Sequence, residues 1–547
     1  MHDRSIFEAP RARIPRPSPR CIINSRCAQW LSLLALLLLL RPNSSQGEDV
    51  ANCDSLGSIL PSSRLHFGFP DSLCGNWWKE YVTLHNGMRE ESRSRQAQAQ
   101  AQASGEVPAT ATVTAATAAT AAATAAAAPP STSPLSSPPL SSSSPPPLRF
   151  LTYEVLFGCG GLGDALIGLA AAFTVALLDG RALILNHPCL PQAFEPAHVD
   201  WRLTDDVPME PSRKYTYVPP VDAGAGSTTS IGSEAQPGPP DAAVQAGEVL
   251  RLNLKNRDVD LQPLFARLAP AANILLRWNR GVLTRLFLEA YNADREGEGG
   301  TGKGGVGEGA GRAGEGESGM RGSREWALRL RALGLRLPLA TGCFLRFLLR
   351  PKPEVWQLIR PFDQQLRGDR TVVIGLHIRF EDRAVWGGGG EGMPLSLSEE
   401  RVREMVEEVK PTLECAKRVQ EWYVPSTLSI KWLLLCNSMQ VKHAIREKYP
   451  DKVVTTDFTP RHANSMDAAH TTGQSPSSNA DAPFQELIAE WLLLASSHFF
   501  VIPNSGFSRT ALLYSMHPAG SAFMPPDNCF PEAPVNLTWL GTTWSRI

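Results

Sequence analysis

The sequence predicts an α/β protein built as two lobes. Short runs rich in β-branched and aromatic residues alternate with helical patterns, first from Arg149 and again from Thr371. Residues 164–180 form a helical pattern apolar on every face, which only burial against a covered, parallel sheet explains. Gly- and Ser-rich turns join strands to helices at 158–163 and 504–508.

The chain has 547 residues, with 53 Lys and Arg against 54 Asp and Glu. That balance gives no basic field for nucleic acid. The first segment carries Arg4, Arg11, Arg13, Arg16, Arg20 and Arg26, followed by an apolar run from Cys27 to Leu40. A basic flank, a leucine-rich run and no small-residue cleavage site after it predict an uncleaved signal anchor at 27–40, with a cytosolic tail at 1–26. The run is short beside the roughly 20 residues of a usual span. Everything after Arg41 is then lumenal, including eight of the ten cysteines, an even number that permits disulfides without fixing their pairing. No two cysteines have CxxC spacing, so no zinc site is expected. Asn43 and Asn536 head glycosylation sequons.

Residues 41–148 read as stem and low-complexity linker: Trp77 to Tyr81 suggests a short helix packed on the body, and Gln/Ala, Ala/Thr and Ser/Pro tracts fill 93–147. The N-terminal lobe spans 149–350, with disordered insertions expected at 222–247 and 295–323. It opens on a βαβ unit: a strand from Arg149, the glycine turn, the apolar helix and a strand at 181–186. Prolines 351 and 353 break a helix pair that bridges the lobes. The C-terminal lobe spans 351–547, with an insertion at 463–482. Its strands are expected at 371–380, 431–438, 452–458 and 498–505, with helices between and after them and a helical break near Pro411.

Three segments carry chemistry. Gly158, Gly160, Gly161 and Gly163 sit between a strand and a helix, where bare backbone amides meet an anion. Their letters satisfy GxGxxG, so an NAD(P)-dependent oxidoreductase stays open, although the second strand ends at Asn186-His187 rather than at an acid for a ribose hydroxyl. Asp164 is placed as a first-turn acid, favourable at the helix's positive end. After the strand at Thr371 come His377, Arg379, Glu381, Asp382 and Arg383, at the strand end where α/β proteins bind ligands. A guanidinium there grips a diphosphate in two places. Finally, Ser505 and Ser508 stand ahead of the last helix, a second anion-accepting helix start.

These segments, in this order and spanning roughly 149–525, resemble the fucosyltransferase superfamily, most closely its plant cell-wall xyloglucan type. The glycine turn with its helix, the GCFLRFLLRPKPEVW stretch and the His-x-Arg strand end each look like a segment of that family. The resemblance implies a GT-B-like fold of two Rossmann-type lobes, inverting transfer from GDP-fucose without a metal, and no cofactor beyond the donor. It also implies a Golgi membrane protein, single-pass type II with a lumenal catalytic region, acting on a cell-wall polysaccharide or a glycoprotein. Arg379 falls on the family's donor-phosphate arginine, and His377 completes the His-x-Arg form. Asp382 fits an Arg-x-x-Asp extension, and Ser505 with Ser508 fall on the pair that cradles the β-phosphate. Gly160, Gly161 and Gly163 line the donor side of the first lobe. Asp164-Ala165 replace the family's Asn-Arg, and Arg509-Thr510 replace its Thr-Phe. A non-catalytic lumenal homologue with the same fold is therefore a second alternative. Glu381, Asp382 and Asp164 are the candidates for the base that takes the acceptor proton.

Overall fold

A computed structural model describes residues 69–104, 148–155, 161–209, 213–217, 248–254, 268, 271, 273–277, 328–330, 332–335, 337–366, 368, 370–381, 385, 396–460, 482–517, 521–526 and 528–530. The basic tail, the anchor, residues 105–147 of the stem, the insertions at 222–247 and 295–323, and 463–481 lie outside the described residues. So do Gly158, Gly160 and Asp382.

The helix expected around Trp77 is longer than its aromatic cluster suggests. After α1 (Asp71–Cys74), α2 (Trp77–Ala103) runs for 27 residues into the Gln/Ala tract assigned above to linker. Gln and Ala are strong helix formers, and the helix is pinned upstream. Its buried residues, Trp77, Tyr81, His85, Arg89 and Ser92, form one stripe at spacings of three and four. Trp77 packs among Phe173, Phe344 and Phe347.

The first lobe follows as β1 (Phe150–Glu154), α3 (Leu162–Asp179), β2 (Ala182–Asn186), α4 (Leu190–Ala193), β3 (Phe194–Pro196), β4 (Arg213–Tyr217), β5 (Val249–Leu254) and β6 (Asn273–Arg277). The βαβ unit forms as expected, and α3 owes its all-round apolarity to burial of nearly its whole surface. Strands β4, β5 and β6 complete a parallel sheet in the order β2-β1-β6-β5-β4. This is not the Rossmann order expected for the lobe, which would place a third strand beyond β2. Helix α2 already occupies that edge. Tyr81 Oη accepts from Leu183 N (2.9 Å) and donates to the Arg181 carbonyl (3.1 Å), while a His85 ring nitrogen meets the Leu183 carbonyl (3.0 Å). Further along the same edge, Leu185 N donates to the Trp201 carbonyl (2.7 Å) in a single parallel bridge to Arg202, so among the described residues no further strand of the sheet lies there, and the sheet grows on the other side of β1.

The lobes are joined by α5 (Leu337–Leu348), β7 (Leu349–Pro351) and α6 (Pro353–Leu366). The break expected at Pro351 is a strand, with β7 antiparallel to β3. In the second lobe come β8 (Thr371–Ile378), α7 (Glu399–Glu408), α8 (Lys410–Tyr423), β9 (Ser429–Cys436), α9 (Met439–Lys448) and β10 (Val453–Thr455). They are followed by α10 (Ala482–Ala495), β11 (Phe499–Val501), α11 (Gly506–Ser515) and β12 (Ala522–Phe523). The parallel order β10-β9-β8-β11-β12 is the Rossmann arrangement of a first strand flanked by the second and the fourth.

One apolar core runs through both lobes, from Leu151, Phe173 and Leu183 to Leu433, Trp491, Phe500 and Leu512. A second fills the far face of the C-terminal sheet around Ile374, Leu376 and Val441. Disulfides Cys74–Cys343 and Cys415–Cys529 tie α1 to α5 and α8 to the segment after β12. Cys189 is also disulfide-bonded. Cys436 is a buried free thiol.

Candidate functional site

In a sheet of this order, chain connections leave β8 and β11 in opposite directions, opening a crevice at the carboxyl ends of those two neighbours. Arg379 is the first residue beyond β8 and is exposed. His377, two residues earlier on the same side of the strand, is buried, and its ring lies 5.0 Å from that of Phe507 on α11. Burial above all, then the charges of Arg379 and Lys442, push the His377 pKa down to about 3, so its imidazole is neutral. Its Nδ1 has no hydrogen-bond partner. Gly375 stands on this face too: a Cβ there would meet Ser497 Oγ at 2.5 Å and Leu494 at 2.7 Å, so the absent side chain lets the end of α10 close on the strand.

Across the crevice, Pro503 to Ser505 lead into α11. Ser505 occupies the N-cap position in extended conformation, yet its hydroxyl makes no cap bond; Oγ is buried without a partner. Ser508 differs. Its hydroxyl donates inward to the carbonyls of Ser505 (3.2 Å) and Pro503 (3.4 Å), so it shapes the turn rather than facing a ligand. Arg509, at a position read from sequence as the pocket edge, is fully buried and bonds Asn504 Oδ1 at 3.0 Å. Burial lowers its pKa to about 10, leaving the guanidinium charged.

Gly163, the last glycine of the turn in the first lobe, arrives at the same place. A Cβ on Gly163 would lie 2.2 Å from the carbonyl carbon of Gly506 and 2.5 Å from its Cα, so the first turns of α3 and α11 touch backbone to backbone. The N-cap of α3 is Gly161, which has no side chain to cap with. Two helix N-termini without side-chain caps thus converge, with the partial positive charge of their first turns. Half-buried Asp164 folds back over its own turn: its Oδ2 lies 3.3 Å from where a Gly161 Cβ would be. The structure therefore brings Gly161, Gly163, His377, Arg379, Ser505 and Ser508 to one crevice.

Sequence reasoning missed the polar residues that brace it. Beside the exit of β8, Asn437 Oδ1 accepts from Phe380 N and its Nδ2 donates to the Phe380 carbonyl, both at 3.0 Å. Behind it, fully buried Lys442 pairs with Glu490 at 2.7 Å and bonds Thr456 Oγ1 at 3.0 Å, linking α9, α10 and the end of β10. Burial pushes the neighbouring Cys436 thiol up to about 12, so it stays protonated. Among the described residues, no group of three or more His, Cys, Asp or Glu side chains is placed to hold a metal.

No family model matches the sequence, and no curated protein matches it. Several solved structures do. A mutant of Arabidopsis thaliana FUT1 in complex with GDP is 13% identical with a TM-score of 0.41, covering 71% of this chain and 74% of that one. NodZ α-1,6-fucosyltransferase co-crystallised with GDP is 15% identical with a TM-score of 0.33, covering 67% and 92%. The fucosyltransferase NodZ from Bradyrhizobium gives 14% identity and a TM-score of 0.31, covering 66% and 92%. Likenesses this loose assign no function.

Proposed function

We propose that this chain is an inverting glycosyltransferase that moves fucose from GDP-fucose to a glycan hydroxyl. The observation that carries the reading is the meeting of two N-termini without side-chain caps, Arg379 and the unpartnered Ser505 hydroxyl at one topological switch point. That set of groups suits a diphosphate: amides and a hydroxyl for its oxygens, a guanidinium for its charge. The fucosyltransferase-like motifs of the sequence fall on these same positions.

In the mechanism, the acceptor hydroxyl attacks the anomeric carbon from the face opposite the leaving GDP. The C1–O bond to the β-phosphate breaks as the new glycosidic bond forms, and the configuration inverts. Arg379 and the start of α11 stabilise the charge growing on the departing diphosphate. The acceptor proton passes to a carboxylate from among Asp164, Glu381 and Asp382. Neutral His377 supplies a hydrogen-bonding ring nitrogen without adding charge. The two disulfide pairs support an oxidising compartment, in keeping with a type II Golgi protein anchored at 27–40.

The test is hydrolysis or transfer of nucleotide sugars by the purified lumenal region, with Arg379→Ala as control. The variant is expected to fold normally and lose about 10²–10³ in kcat. Turnover equal to wild type would sink the assignment. One second reading has an observation behind it: the Asp164 carboxylate stands beside the proposed anion site, which fits a non-catalytic homologue. GDP binding with no turnover of any nucleotide sugar would favour that reading.

A further inference from the structure

We propose that Asn437 is the positioning residue for Arg379. The inference rests on the functional reading above, in which Arg379 holds the donor diphosphate. The ladder between β8 and β9 ends at the pair Ile378 and Cys436. Beyond it the two chains diverge, and the Asn437 side chain takes over the pairing: its amide offers Phe380 the acceptor and the donor that another strand residue would have supplied. Asparagine is suited to this, having both functions at one short length.

Asn437 is itself held from both sides. Cys436 Sγ accepts from Ser438 N at 3.4 Å, and Ser438 Oγ accepts from Val441 N at 3.4 Å to cap α9. On the other side, the Phe380 ring is buried in the second core. Arg379 therefore lies between two immobilised residues: Ile378 in the sheet and Phe380, fixed by its ring below and its amide and carbonyl above. Alternation puts Arg379 on the His377 side of the strand, toward α11. A guanidinium on a long, rotamer-rich side chain binds an anion best when its own backbone costs nothing to order. The Asn437 clamp supplies that order. If it only finished the sheet, its loss would lower stability without reaching GDP.

The experiment is a double-mutant cycle on GDP affinity, measured by calorimetry on the whole chain with N437A, R379A and the pair. Arg379→Ala is expected to weaken GDP about 100-fold, the loss of a charge-assisted contact, and Asn437→Ala about 10-fold. Because Asn437 acts through Arg379, the double variant should bind about as weakly as R379A alone, not about 1,000-fold worse. N437D keeps the acceptor for Phe380 N but sets a carboxylate oxygen against the Phe380 carbonyl, and should match N437A; it carries the cycle if N437A does not fold. Unchanged GDP affinity in the single variant, multiplying effects in the double, or failure of both Asn437 variants to fold would each overturn the assignment. Absence of GDP binding by wild type would instead overturn the functional reading on which it stands.

Discussion

Gly163→Ala adds one methyl group where α3 crosses α11. Its carbon would lie 2.2 Å from Gly506 C and 2.5 Å from both Gly506 Cα and Gly506 O. Carbon atoms sit comfortably at about 3.5–4.0 Å, so the helices must part by roughly 1 Å or more. All three atoms are backbone, and no rotamer change relieves the clash. Overpacking of this kind costs about 1–3 kcal/mol, occasionally more. The upper part of that range applies here, because α11 is also held by Trp491 Nε1, which donates to Thr510 Oγ1 at 3.0 Å, and by Arg346, which donates to the carbonyls of Tyr514 and Ser515. Gly161→Ala is the comparison: among the described residues its Cβ would meet the Asp164 side chain, at 3.3 Å from Oδ2, and no backbone. Urea denaturation should show G163A destabilised by about 2–3 kcal/mol and G161A by no more than about 1 kcal/mol, the cost of Ala at an N-cap. Shifting α11 also shifts Ser505, so G163A should bind GDP about 10-fold more weakly. A G163A protein with wild-type stability and wild-type GDP affinity would refute the contact and the placing of the anion site beside it.

Two further predictions separate binding from folding. Ser505→Ala removes a buried hydroxyl with no partner, so GDP affinity should fall while stability holds or rises; Ser508→Ala deletes two inward bonds and should cost about 1 kcal/mol of stability. Calorimetry and melting of the two variants check the split. Acid should destabilise the fold in a defined window. Burial holds the pKa values of His85, His187 and His377 down to about 4, 3 and 3, so as pH drops below about 6.5 the unfolded chain takes up protons that the folded chain refuses. The stability these neutral rings confer is complete above that pH and is lost on the way down. The melting temperature should therefore fall between pH 7 and pH 5, and His85→Asn or His187→Asn should flatten the slope.

Much of the fold is legible because local pattern and burial agree. Helix α3 is apolar all round because it is enclosed, and β8, β9 and α10 are long enough for their periodicity to register. What escaped did so for physical reasons. Strands β4 to β6 are short and lie between segments of insertion-like composition. Helix α2 outruns its aromatic anchor because propensity carries it through a Gln/Ala tract that composition alone labels as linker. The outer edge of β2 is met by Tyr81, His85 and the Trp201 carbonyl, long-range contacts with no local sign. The candidate site divides the same way. Arg379 and Ser505 announce themselves by sitting at strand and helix ends. Asn437, Lys442 and Glu490 look like ordinary turn and surface residues until distant partners are brought to them. Ser508, read with Ser505 as one motif, differs from it in hydrogen bonding: its hydroxyl turns inward, while that of Ser505 has no partner.

Gly163 carries a spatial demand that its motif does not reveal. As the last glycine of GxGxxG it suggests a dinucleotide fold in which small size lets a helix approach its own sheet. Here the demand comes from the other lobe: the residue must be glycine because Gly506 occupies the space of its side chain. A turn committed to that contact has less freedom to wrap a pyrophosphate, and Asp164 on the next residue partly offsets the positive end of α3. Helix α11 carries no acid in its first turn, and its N-cap hydroxyl is unspent. The charge asymmetry between the two touching helix ends makes the start of α11 the better suited of the two to an anion.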